Sequence, residues 1–489
     1  MVKKHPKKSE NFSEWFTWIC SEDGAQLADL RYGVQGFVVL RPWAYKIIRR
    51  IYELLEDEFE STNHEPFLFP TVIPEANLQK EKEHAGFTPD VFWITQRGDS
   101  KLEEKWALRP TGEAAIYPMY HYWLRSYNDL PWKGYQSRIT VFRNEKTTRP
   151  FMRGREFNFL EAHNVFQDHK QALAQITEDM QITKSVMNEA LKIPYIFLRR
   201  PQWDKFKGAV DTYCADTLHP DGRKNQMSST HDLGQNFAKA FDIKVKDEKE
   251  KNIYPFQTCF GPGIWRIMAA LISIHGDDNG LVLPFTLAPI KVAIIPITFS
   301  NKKKLTERVL RYCNEIVSKL NTMGIKAKLD DSDNSPGFKY NHYEMLGVPL
   351  RIEIGPREVD EKTLTIVRRT DKKKVSASLK NLVSEVHKQA TIVDNDIDKA
   401  AKDFFDKKTQ KATTFKQMKD LIEKDNCYVK VPFCSIEDDG EACADQIKEK
   451  LGADVGGSIY GSKRKPLPDH KCVMCGKKAK VYVYVGKSL

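Results

Sequence analysis

A change of rhythm near residue 290 constrains this chain more than any other feature. From Lys291 the pattern becomes regular: KVAIIPI reads as a buried strand, 302–321 as a helix, IKAKLDD as a second strand, 336–346 as a second helix and PLRIEIG as a third strand. That β-α-β-α-β order predicts a small α/β domain. Residues 9–286 mix helical and strand patterns without such alternation, so they call for a different architecture. Ala44, Ile47, Ile48, Ile51, Leu54, Leu55 and Phe59 recur at helical spacing after Pro42. PFLFPTVIP (66–74) reads as a proline-broken strand. QSRITVFRNE and REFNFLEAHNVF read as an antiparallel pair closed by the charged loop KTTRPFMRG. With 489 residues, two to four domains are expected. The Lys- and Asp-rich stretch 386–426 predicts a solvated linker helix, and the tail beyond it ends in a strand, KVYVYVG.

Composition narrows the function classes. No apolar run approaches the roughly 20 residues of a membrane span, and the basic start MVKKHPKKSENFSEW lacks the apolar stretch of a secretory signal. A net charge of +11 is compatible with a phosphate-rich partner. Nine cysteines, five of them in the last 63 residues, exclude an evenly studded disulfide scaffold and suit reduced cytoplasmic thiols with a local metal cluster. Cys434, Cys443, Cys472 and Cys475 fit a four-thiolate zinc site. The C-x-x-C half (KCVMCG) is the stronger signal, and Cys427 could replace Cys434 or Cys443.

Three separated segments carry chemistry. The first is Phe67–Pro74 with the helix before it. In the second, VFRNEKTTRPFMRGREF, Arg143 and Glu145 alternate with Phe142 and Asn144 and so are expected to face one side of a strand, with Arg149, Arg153 and Arg155 nearby. Guanidinium forks suit phosphates and stack on bases, and a carboxylate can accept from an adenine amino group or hold Mg²⁺. A charged surface hairpin would give the same letters. In the third, FGPGIWRIMAALISIH, Gly261 and Gly263 allow close backbone approach, and Arg266 enters the first turn of an apolar helix whose free N–H groups suit an anion. No acidic residue follows at the dinucleotide-fold spacing, so a Rossmann site is disfavoured.

In this order the three segments resemble motifs 1, 2 and 3 of class II aminoacyl-tRNA synthetases. LRPTGEAAIYP, YNDLPWKGYQ, RPFMRGREFNFLEAH, RPQWDKFKGAVDT, STHDLGQNFAKAF and HGDDNGLVLP are similar to the prolyl-tRNA synthetases of archaeal and eukaryotic cytoplasmic type, class IIa, from about residue 9 onward. The resemblance implies an α+β fold. A class II antiparallel-sheet catalytic core would occupy 1–286, an α/β anticodon-binding domain 287–385, and a linker helix with a small zinc-binding α+β domain 386–489. It implies a cytoplasmic homodimer, with Pro70 at the subunit interface, that activates L-proline with ATP and Mg²⁺ and loads it onto tRNA(Pro).

Residue by residue, the resemblance assigns ATP to Arg143, Glu145, Arg153, Gln226, Ser229 and Arg266, of which Arg143 and Arg266 are the catalytic pair. It assigns proline to Thr111, Glu113, Arg143, Phe159, Glu161, His163 and His231, and anticodon bases to Lys339, Glu344 and Arg351. It makes the four-cysteine zinc structural. The chain departs from the family in Gly112 for the usual Ser, in Phe159 for a frequent Trp, in a GPGIWR loop one residue longer, and in ending GKSL rather than on Tyr. Only 109 residues separate Glu156 from Arg266, which leaves no room for a large editing insertion; misactivated cysteine or alanine would go uncorrected. Rival expectations are a threonyl or glycyl sister enzyme, and a synthetase-like RNA-binding protein without catalysis. The latter sits poorly with both motif arginines being present.

Overall fold

The computed structural model describes residues 5–85, 90–298, 302–462 and 470–488. The first four residues of the basic start and the terminal Leu489 lie outside that set. Pro42, whose fixed φ suits a first helical position, opens the helix Pro42–Ser61. Its stripe of Ala44, Ile47, Ile48, Ile51, Leu55 and Phe59 is buried against the central sheet and the helix Ile264–His275. That second helix is apolar on nearly all sides and is buried accordingly.

The sheet these helices cover is antiparallel through its central strands. Trp132–Phe142 pairs with Glu156–Phe166, which pairs with Phe256–Pro262; Lys224–Gly234, Asp211–Leu218 and Ile196–Arg199 follow. The expected hairpin over 136–166 is present, with a bulge between Gln136 and Ile139 where Arg138 takes φ 55°. The expected strand over 66–74 is reduced to two fragments, Glu65–Pro66 and Val72–Pro74. Prolines at 66, 70 and 74 cannot donate to a ladder, which is why no continuous strand forms there.

The α/β domain has the expected order, with parallel strands Val292–Pro296, Ala327–Leu329 and Leu350–Ile354 and helices Lys303–Thr322 and Pro336–Met345. Two further strands, Thr363–Arg368 and Lys374–Ser378, extend this sheet antiparallel. Stretch 386–426 differs from expectation. It forms a helix Leu382–Lys408, a short strand Thr409–Lys411 and a helix Phe415–Asp425. The first helix is not solvated all round, because Leu382, Val386, Ala390, Val393 and Ile397 are buried in the α/β core. Charge-rich composition hid a helical apolar stripe.

The C-terminal strands join the central sheet directly. Asp454–Ile459 pairs with Ile196–Arg199 through Ser458↔Arg199 and Ile459↔Leu198, making one eleven-stranded sheet. No helix among the described residues is long and apolar enough to cross a membrane.

Candidate active site

One face of the central sheet gathers the predicted residues. Side chains two apart on a strand share a face, so Phe159, Glu161 and His163 do, as do Cys259 and Gly261, and Ser229 and His231. Register then sets them side by side: Cys259 opposite His163 on one flank and His231 on the other, and Gly261 opposite Ser229. A cavity of about 130 Å³ lies over this face, lined by Arg143, Glu145, Arg153, Phe159, Gln226, Ser229 and Arg266 among others. All six residues expected at ATP therefore border one space, although they come from three separated stretches.

Arg143 and Glu145 arrive there differently from the expected alternation. The strand ends at Phe142, and the Glu145 amide donates to the Arg143 carbonyl at 2.9 Å, so a tight turn swings both side chains to the cavity. Arg153 approaches Glu145 at 3.8 Å. Arg266 sits in the first turn of Ile264–His275, and its guanidinium donates to the Gln226 carbonyl at 3.3 Å. Enclosure, and then repulsion from Arg143 and Arg153, lowers the Arg266 pKa to about 10, which still leaves it cationic at neutral pH. Enclosure also lowers Arg143, against the pull of Glu145 and Glu113. Gathering three cations here is costly unless an anion joins them.

Gly261 has another use than the expected approach of backbone to ligand. A Cβ there would lie 2.7 Å from Cζ of Phe159, so the glycine makes room for that ring. Gly263 has no such close neighbour and serves as the N-cap of the helix.

Among the residues expected at proline, Glu113, Glu161 and His163 are buried and hydrogen-bonded. The Thr111 hydroxyl donates to Glu113. Glu161 accepts from the Gly112 amide at 3.2 Å and from Gln136 at 2.8 Å, and Gln136 in turn accepts from Arg109 at 2.9 Å. His163 is bound between the Tyr117 hydroxyl at 2.9 Å and Glu161 at 3.1 Å. Burial raises the Glu113 pKa. Burial opposes the charge on His163, but its bond to Glu161 outweighs that and raises its pKa. His231 is held through Nδ1 by the Thr212 hydroxyl at 2.9 Å, and burial, then His163, lowers its pKa to about 3. Glycine at 112 also has a steric reason, since a Cβ would meet the Glu161 carboxylate at 2.3 Å.

Several contributors escaped the sequence. Arg200 binds Asp216 with both terminal nitrogens, at 2.8 and 2.7 Å, and donates to the Gln226 side chain at 2.9 Å, so it fixes Gln226 at the cavity rim. Arg109, Gln136 and Tyr117 orient the carboxylates and His163 from behind. Each lies inside a stretch that carries the family resemblance, but only the pairing across strands marks it as a support. A second, larger cavity of about 480 Å³ runs from Arg153 and Arg266 to Lys448, Asp454 and Ser488. The C-terminal segment therefore borders the site without a terminal tyrosine. It is held there by the Lys224 amide bonding the Lys487 carbonyl at 2.8 Å and by Ser488 bonding Asp454 at 2.6 Å.

The ligating sulfurs of Cys434, Cys443, Cys472 and Cys475 all lie within 4.8 Å of one another, a donor set and spacing that fit zinc; Cys427 is not in the group. The anticodon candidates are already engaged. Lys339 is buried, and its ammonium donates to the Asp330 carbonyl at 2.9 Å. Arg351 bridges Glu344 at 2.7 Å and Glu353 at 2.9 Å and lies over the Tyr340 ring at 4.4 Å.

Comparison with known proteins agrees with this geometry. Residues 92–275 match the family "tRNA synthetase class II core domain (G, H, P, S and T)", 291–389 match "Anticodon binding domain", and 415–489 match "Prolyl-tRNA synthetase, C-terminal". The proline–tRNA ligase of Thermofilum pendens is 50% identical over 98% of each chain. That of Thermococcus kodakarensis is 40% identical, again over 98% of each. Giardia lamblia prolyl-tRNA synthetase in complex with prolyl-adenylate is similar in structure at a TM-score of 0.95, with 34% identity over the whole of both chains. A class II core with a cavity that collects three motif arginines, an anticodon-binding domain and full-length likeness to these enzymes together place the chain in the prolyl-tRNA synthetase family.

Proposed function

We propose that the arginine-lined cavity holds ATP, that the buried network beside it holds L-proline, and that the chain thereby works as a proline–tRNA ligase. The observation that carries this is the convergence of Arg143, Arg153 and Arg266 on one space next to the Thr111–Glu113–Glu161–His163 network. Arg143 is positioned to bridge the α-phosphate and the proline carboxylate, Arg153 to meet the outer phosphates, and Arg266 to hold the γ-phosphate and stack on adenine. Glu145 faces the adenine end, with Gln226 and Ser229 along the nucleotide. Glu113 offers the carboxylate a secondary ammonium requires, Phe159 an aromatic wall for the pyrrolidine ring, and Thr111, Glu161, His163 and His231 the rest of the pocket.

The proline carboxylate then attacks the α-phosphorus in line, giving prolyl-adenylate and releasing pyrophosphate. The 3′-terminal ribose hydroxyl of tRNA next attacks the acyl carbon, and AMP leaves. A carboxylate is already a competent nucleophile, so the first step needs positioning and charge neutralisation rather than a protein base. Mg²⁺, when bound, would supply further neutralisation of the phosphates.

The same reading assigns residues 1–286 to catalysis, 287–385 to the anticodon and 386–489 to the linker and a domain stapled by zinc on Cys434, Cys443, Cys472 and Cys475. Glu344 and Arg351 contact anticodon bases of tRNA(Pro), while Lys339, being buried, shapes that surface from beneath. Exposed Leu68, at 83%, and Tyr122, at 61%, near Pro70 support a homodimer through this region. A cytoplasmic location fits the translation role and the nine free cysteines. Amino-acid-dependent ATP–pyrophosphate exchange tests the activation step, and proline charging of tRNA tests the transfer. Proline is expected to drive exchange strongly, cysteine and alanine weakly, and threonine and glycine not at all. Exchange driven by threonine or glycine but not proline overturns it.

A further inference from the structure

A cavity of about 410 Å³ that shares no lining residue with the arginine-lined site opens where the helix Pro42–Ser61 meets the start of the α/β domain. Lys46, Arg49 and Arg50 reach it from one face of that helix, at the i, i+3, i+4 spacing that groups side chains. Lys291 and Lys326 reach it from the other domain, where the Lys291 amide bonds the Lys326 carbonyl at 2.8 Å. The lining contains a single carboxylate, Glu53, which Arg50 already engages at 3.0 Å. Among the described residues, Lys46, Arg49, Lys291 and Lys326 form no ion pair. The nearby carboxylate of Asp394 accepts the Phe285 amide at 2.8 Å. Burial, then Arg50 and Lys326, lowers the Lys291 pKa, with Asp394 opposing.

We infer that this cleft is a docking surface for the phosphodiester backbone of tRNA as it passes between the catalytic and anticodon-binding domains. The inference rests on the tRNA-charging reading above. Its chemistry follows from the arrangement. Cations drawn from two domains around an open cleft suit a run of phosphates rather than one. They provide no base-edge geometry, so the contact positions the RNA and releases counterions without reading sequence. An RNA that engages both domains is the polyanion that must cross their junction.

The test uses the full-length chain with Arg49→Gln and Lys326→Gln combined, two exposed residues outside the arginine-lined site. Proline-dependent pyrophosphate exchange should stay at the wild-type level. Affinity for tRNA should fall about tenfold near 0.1 M salt, and the slope of log affinity against log salt should become shallower by about two. Arg49→Glu should weaken tRNA binding further. A double variant with wild-type tRNA affinity and slope overturns the inference. So does binding of tripolyphosphate that needs Arg49 and Lys326 while tRNA binding does not, which would make the cleft a small-anion site. A wild-type chain that exchanges with proline yet charges no tRNA would instead refute the tRNA-charging reading.

Discussion

Glu113 illustrates what burial does at the scale of one residue. It is 1% exposed, burial raises its pKa against the pull of His163, and it accepts from the Thr111 hydroxyl. A carboxylate buried this deeply gains from a further cation in direct contact, which the proline ammonium supplies. Glu113→Gln should therefore raise the KM for proline at least tenfold while the KM for ATP stays within about twofold. Titrating each substrate in the exchange assay checks this; equal losses for both would assign Glu113 a general structural role. That these residues lie side by side could be anticipated from the sequence because the motifs are long and ordered. The supports could not. Nothing local to Arg109 or Gln136 says that they form a chain ending on Glu161, because that chain exists only across strand partners. The anticodon candidates show the converse, since Lys339 is charged in sequence but buried in the fold.

At the scale of elements, the site is a property of strand register. Phe159, Cys259, His163 and His231 meet because three antiparallel strands align them, and a one-residue slip would turn every one to the opposite face. Gly261 belongs to this geometry as much as any charged group. Gly261→Ala places a methyl against Cζ of Phe159 and should displace that ring, raising the KM for proline several-fold with little change in thermal midpoint. Kinetics and a melting curve on the same preparation separate this from simple destabilisation. The α/β domain was readable because strand and helix periods alternate cleanly in its sequence. Its last two strands were not anticipated, although TLTIVR alternates as a strand does, and the buried face of Leu382–Lys408 was masked by the charged residues between its apolar ones. Strand alternation also failed for Arg143 and Glu145, where a tight turn replaced it yet delivered both side chains to the same cavity.

At the scale of the whole molecule, buried histidines link stability to pH. His64, His219 and His231 have pKa values lowered to about 3, and His275 to about 4, each chiefly by burial. Unfolded, such groups take up protons below about 6.5. At these four rings the unfolded chain therefore binds more protons than the folded one as pH falls through that value, which lowers stability, while Asp179, whose pKa burial raises to about 8, acts in the opposite sense. With four rings against it, the thermal midpoint should decline from about pH 6.5 to about pH 5; a flat profile would contradict the burial assigned to these rings. The central claim is that Arg143 and Arg266 act on one triphosphate. Proline-dependent ATP–pyrophosphate exchange in Arg143→Ala, Arg266→Ala and the double variant tests it most directly. Each single change should cost about 10²-fold or more in kcat/KM, and the double should cost much less than the product of the two, because residues serving one transition state are not additive. Near-wild-type exchange in either single variant, or strictly multiplicative losses, would contradict it.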